Sequence, residues 1–106
     1  MGDLNINFQH SYDLRLASGG DKQAPGAAIT VGLCGHWDHE GPCRWPHHST
    51  VTHLQADDFR LTVDVTCKVH ERSQVLDRLR QAILGGELVG PDGRLTRWKL
   101  LGTNAH

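Results

Sequence analysis

At 106 residues the chain is long enough for one hydrophobic core and too short for two domains, and 38% hydrophobic with 22% charged residues is ordinary globular composition, not that of a disordered chain. Eleven basic against twelve acidic residues leave a formal charge of −1, so no field of one sign gathers nucleic acid or anionic lipid. No apolar run approaches the roughly 20 residues of a membrane span, and Met1 to Asn5 lack the basic and apolar regions of a signal peptide, which predicts a cytoplasmic chain.

From Leu4 to Leu16 apolar and polar residues alternate strictly: Leu4, Ile6, Phe8, His10, Tyr12, Leu14 and Leu16 against Asn5, Asn7, Gln9, Ser11, Asp13 and Arg15. Period two is the signature of a half-buried strand. Gly19, Gly20, Asp21, Pro25 and Gly26 then mark a loop. Ala27, Ile29, Val31 and Leu33 resume an alternation that predicts a second strand from Ala27 to Leu33, with room to continue to Trp37. Ser49 to Gln55 reads as a third strand and Ala56-Asp57-Asp58 as a turn. Phe59 to Val69 carries the clearest alternation in the chain, with Phe59, Leu61, Val63, Val65, Cys67 and Val69 on one side.

After His70 the period changes to 3.6. Val75, Leu76, Leu79, Ala82 and Ile83 share one face of a predicted helix over Ser73 to Leu84, with Ser73 as its N-cap and Gly85-Gly86 as its left-handed stop. Pro91-Asp92-Gly93 turns the chain into a last strand over Arg94 to Leu101. The prediction is a single α+β domain over residues 1–106. Its antiparallel sheet of four to five strands carries one amphipathic helix packed on one face, in the order β-β-β-β-α-β.

The residues that carry chemistry concentrate at positions 34–48, where four histidines and two cysteines lie within fifteen residues. Three cysteines in a reducing compartment argue against a disulfide framework, whereas thiolate and imidazole together suit zinc. Cys34 and His36 fall on one face of the predicted second strand, Gly41-Pro42 favours a turn that returns Cys43, and His39 and His47 are within chain reach. The spacing matches no standard zinc pattern. The expected function is a small metal-binding domain in which zinc, held among Cys34, His36, His39, Cys43 and His47, orders a loop. That loop presents Trp37, Arg44 and Trp45 to an unidentified protein or small-molecule partner. One alternative is a metal-dependent enzyme with an open coordination position and Asp38 or Glu40 as general base. The other is a metal-free interaction module whose tryptophans and arginine make the contact surface. Exposed sheet edges leave a homo-oligomer open as well.

A histidine on the first strand followed by a Cys/His-rich loop invites comparison with the zinc-dependent pterin synthases of tunnelling folds. In that family one residue separates the paired histidines and Asn-Tyr follows, whereas His47-His48 are adjacent here and precede Ser49-Thr50, so no role is carried over. Outside the loop, Cys67 occupies a core slot. His10 lies on the apolar register, where a hydrogen-bonded core histidine is the commoner outcome, and Arg78 and Arg80 fall on the solvated helix face.

Overall fold

The computed structural model of the chain describes residues 4–34, 45–90 and 93–105. Five strands and two helices follow in order: β1 (Asn5–Leu16), α1 (Ala24–Cys34), β2 (His47–Gln55), β3 (Asp58–Lys68), α2 (Arg72–Leu84), β4 (Glu87–Val89) and β5 (Leu95–Ala105). A single 3-10 turn, Val69–Glu71, joins β3 to α2. All strand pairs are antiparallel and the sheet order is β2-β3-β1-β5-β4. No helix among the described residues is long and apolar enough to cross a membrane.

The two strongest alternations become the two central strands. β1 and β3 pair over their full length, with Tyr12 opposite Leu61 and Leu14 opposite Phe59. Their period of two sends Phe8, Tyr12, Leu14 and Leu16 with Phe59, Leu61, Val63, Val65 and Cys67 into the core. The opposite face holds only polar residues along these strands: Asn7, Gln9, Ser11, Asp13 and Arg15 against Arg60, Thr62, Asp64 and Thr66. Both helices therefore lie on one side, and the other side is an open polar lattice. Within it Asn7 donates to Asp64 and Thr66, Gln9 donates to Asp64, and Ser11 and Thr62 share a hydrogen bond of 2.9 Å.

Two forked ion pairs cross the same open face. Arg60 grips Asp13 at 2.8 and 3.1 Å, and Arg15 grips Asp58 at 2.7 and 3.1 Å. In each pair the guanidinium's hydrogen bonds, and then its charge, hold the carboxylate below its ordinary value of 3.8. A carboxylate with a depressed folded-state pKa contributes stability that is present above 3.8 and lost as pH falls through the folded value. Thermal unfolding followed down through this range should show a falling midpoint, and an Asp13→Asn, Asp58→Asn double variant should flatten that acid limb. An unchanged limb in the double variant would assign the acid sensitivity elsewhere.

Two features differ from the predicted order. Residues Ala27 to Leu33 are helical, not a strand, so the described residues form two helices in the order β-α-β-β-α-β-β. The buried positions of α1 are Ala24, Pro25, Ala28, Ile29 and Leu33, a recurrence at four- and five-residue steps that only a helix brings to one face. The Asp21 carboxylate accepts from the Gln23 amide at 2.9 Å just ahead of the helix, and Pro25 sits in the first turn, where its missing N–H costs nothing. Topology requires the helix too. β1 and β2 run parallel with β3 between them, and parallel strands need a crossover, the role α1 fills in a split β-α-β unit. Gly32 closes the layer against α2, where a Cβ would stand 3.3 Å from the Ala82 Cβ.

The second difference is at the chain's end. A short β4 precedes β5, β5 extends to Ala105, and the β1–β5 register shifts between Asp13 and Leu14. Leu14 pairs with Leu100 and Asp13 with Gly102, so Leu101 is the extra residue of a bulge and is exposed. Past the bulge the alternation is reversed. Thr103, which strict alternation from Trp98 and Leu100 would send to the open face, lies opposite Tyr12 on the helix-covered face.

Helix α2 begins at Arg72, which places Ser73 inside its first turn; the Glu71 carboxylate instead accepts from the Lys68 amide at 3.2 Å. Val75, Leu79 and Ile83 are its buried stripe. Gly86, at φ +70, supplies the left-handed turn after it, and a Cβ there would meet the Trp98 carbonyl at 3.3 Å. Trp98 pins the same end of the helix through its indole N–H, which donates to the Ile83 carbonyl at 2.9 Å.

Candidate functional site

The loop singled out from the sequence falls largely outside the described residues: His36, Trp37, Asp38, His39, Glu40, Cys43 and Arg44 all lie there, and Cys34 is described only as the last backbone position of α1. The two site residues that are described, Trp45 and His47, are both engaged in the fold. Trp45 is 1% exposed and belongs to the core, with the Arg78 guanidinium 5.2 Å from its ring centroid. It is a packing residue and not part of a presented surface. Arg78, expected on a solvated face, also donates to the Gly32 carbonyl at 3.2 Å and so ties α2 to the C-terminal end of α1.

His47, the first residue of β2, has both ring nitrogens in hydrogen bonds: Nδ1 lies 3.0 Å from the Trp45 carbonyl and Nε2 lies 3.0 Å from the Thr30 hydroxyl. Nδ1–H donates to the carbonyl and Nε2 shares a hydrogen bond with the Thr30 hydroxyl, which also reaches the Gly26 carbonyl at 3.3 Å, so both ring nitrogens are engaged within the fold. Among the described residues no group of three or more His, Cys, Asp or Glu side chains is placed to hold a metal ion. The small metal-binding domain expected from the sequence is thereby overturned. Composition favoured it because His and Cys are close in sequence. In the fold, His47 orders the junction between α1 and β2. Cys67 is 4% exposed in the core, as its register predicts, and burial followed by the nearby Glu71 charge raises its thiol pKa. The thiol therefore stays protonated and unreactive at neutral pH.

Three hollows lined by described residues can be weighed. A groove of about 660 Å³ between α1 and α2 is lined in part by groups tied to one another or to the backbone: Gln81 donates to Asp77 at 2.9 Å and Arg78 to Gly32. A second, of about 320 Å³ at the end of β1 and β5, holds Arg15 and Arg97, which pair with Asp58 and Glu87.

The third is the most enclosed of the three. It is a cavity of about 240 Å³ between α2 and the β1–β5 pair, lined by His10, Tyr12, Leu76, Arg80, Leu100 and Thr103. Its geometry follows from three local facts. The β1 alternation sends His10 and Tyr12 to the helix side, where their rings meet at 4.7 Å between centroids with a 50° tilt. Leu76 and Arg80, four residues apart, share one face of α2. The bulge at Leu101 puts the exposed Thr103 opposite Tyr12 on the helix-covered face.

Tyr12 is 2% exposed, and its hydroxyl has no hydrogen-bond partner among the described residues. The hydroxyl reaches the cavity and is not sealed in the core. Burial pushes its pKa up to about 12, so at neutral pH it is a phenol able to donate. Arg80 stands exposed at the rim, as expected for the solvated helix face, and makes no hydrogen bond or ion pair with any described residue. A cationic fork, a phenol and a threonine hydroxyl converge on a space whose remaining walls are leucine side chains and aromatic edges, the usual make-up of a small-molecule pocket. His10 was visible in the sequence as a polar residue on an apolar register. Arg80 was not, because a charged residue at the edge of an amphipathic stripe looks the same whether it faces water or a cavity. Comparison of the chain with protein-family models, with curated proteins and with solved structures finds no match.

Proposed function

We propose that the protein binds a small organic anion, a carboxylate or phosphate head on an apolar body, in the cavity between α2 and the β1–β5 pair. The observation that carries this is the Tyr12 hydroxyl, which makes no hydrogen bond with a described residue, lining one cavity together with the exposed Arg80. A planar guanidinium offers paired donors that match carboxylate and phosphate oxygens. Tyr12 and Thr103 add neutral donors, and Leu76 and Leu100 suit the apolar body. At about 240 Å³ the space is smaller than the roughly 300–1,000 Å³ of drug-sized sites, which restricts the ligand to a compact molecule.

Benzoate and phenyl phosphate are suitable probes, followed by amide chemical shifts. Perturbations are expected at Tyr12, Arg80 and Thr103. Arg80→Met should weaken binding about 10- to 100-fold, the worth of a hydrogen bond to a charged group, and Tyr12→Phe about 3- to 10-fold, the worth of a neutral one. Unperturbed amides around the cavity with both probes, or unchanged affinity in Arg80→Met, would defeat the proposal.

A further inference from the structure

The two edges of the sheet are built differently. β4 is three residues long and carries Glu87, which limits what can pair with it. β2, the other edge, runs nine residues as His-His-Ser-Thr-Val-Thr-His-Leu-Gln, with no proline, lysine or carboxylate, and its one register shift comes only after His53. Among the described residues none of the devices that usually blunt an edge strand is present along His47 to His53.

The groups left open on that edge can be named. The Thr66 amide donates to the Pro46 carbonyl at 2.9 Å, which makes Pro46 and Thr66 a hydrogen-bonding position of the β2–β3 ladder. Bonded and non-bonded positions alternate in an antiparallel pair, and the register places His48, Thr50 and Thr52 opposite Asp64, Thr62 and Arg60 as the next bonded positions. The main-chain N–H and C=O groups of His47, Ser49, Val51 and His53 therefore point away from the sheet.

We infer that this edge pairs with the same edge of a second copy of the chain, β2 antiparallel to β2 about a twofold axis at Thr50. This register uses all four open positions. His47 of one copy faces His53 of the other, and Ser49 faces Val51, so each pair exchanges both main-chain hydrogen bonds. Thr50 meets its own counterpart in a non-bonded position, where Cα atoms approach to about 4.5 Å and paired threonines contribute favourably. A second copy fits better than a charged peptide because an isologous interface must be self-complementary. β2 has no fixed charge to repel its copy and none to attract an ionic segment. Two five-stranded sheets become one continuous sheet, and the unprotected edge disappears.

Sedimentation velocity of the full chain across a concentration series tests this, with circular dichroism to verify the fold of each variant. The parent is expected to dimerise. Thr50→Lys sets two ammonium groups face to face on the open side of the sheet and should raise the monomer–dimer midpoint at least about tenfold. Ser49→Pro deletes an outward N–H without removing a β2–β3 hydrogen bond and should act in the same direction. If either variant fails to fold, the other decides. Amide exchange in the parent gives a reading that needs no variant, with slow exchange expected at Ser49 and Val51. A parent that is monomeric at every concentration, a dimer indifferent to the folded variants, or fast exchange at both amides would overturn the inference.

Discussion

Trp45→Ala is expected to destabilise the protein by about 3–5 kcal/mol, the cost of emptying a fully packed indole site. At 1% exposure the side chain has no route to relieve the cavity by solvation. The substitution also removes the ring beneath the Arg78 guanidinium, a contact worth about 0.5–1 kcal/mol at a partly exposed site. For a chain of this size the unfolding temperature should fall by more than about 10 °C. Urea denaturation of parent and variant provides the free energy directly, with unchanged m-value as the check that both unfold in the same way. A tryptophan held out to a partner would lose no more than about 0.5 kcal/mol on truncation. A loss that small would return Trp45 to the surface and reopen the loop as a presented contact.

The second large effect concerns α1. Ile29→Ala should cost about 2–5 kcal/mol and Val31→Ala less than about 1 kcal/mol. The contrast discriminates between the two conformations available to this segment. In a strand, residues 29 and 31 share a face and would be buried alike. In the helix they stand on opposite sides: Ile29 is fully buried against the sheet and Val31 lines the open groove toward α2. Equal losses at the two positions in denaturant titrations would contradict the helix. A steep difference would also show that α1 is a structural partner of the sheet, since the residues facing the groove would be those free of packing constraint.

β1, β3 and α2 were legible in the sequence because each has one wet and one dry side, and that asymmetry prints its period directly onto the residue order. The polar lattice of the open face follows from the same alternation, down to the aspartates and arginines that meet across the strands. α1 carries no charged residue and no polar stripe, so its apolar positions fit a period of two as readily as a helical one. Only the sheet order, with β3 inserted between the parallel β1 and β2, made a crossover helix necessary. The density of His and Cys at positions 34–48 told nothing of lone-pair geometry, and it took the placement of Thr30 and the Trp45 carbonyl to show that both His47 nitrogens are occupied. The pocket lay further from reach. His10 and Tyr12 were on the inward register from the start, but Arg80 arrives from another element and Thr103 joins their face solely because one extra residue at Leu101 reverses the alternation of β5. Local pattern is set by neighbours in the chain and can be read from it. A bulge, a crossover and the convergence of unpaired donors depend on which distant segments share a sheet, and those were decided by tertiary packing alone.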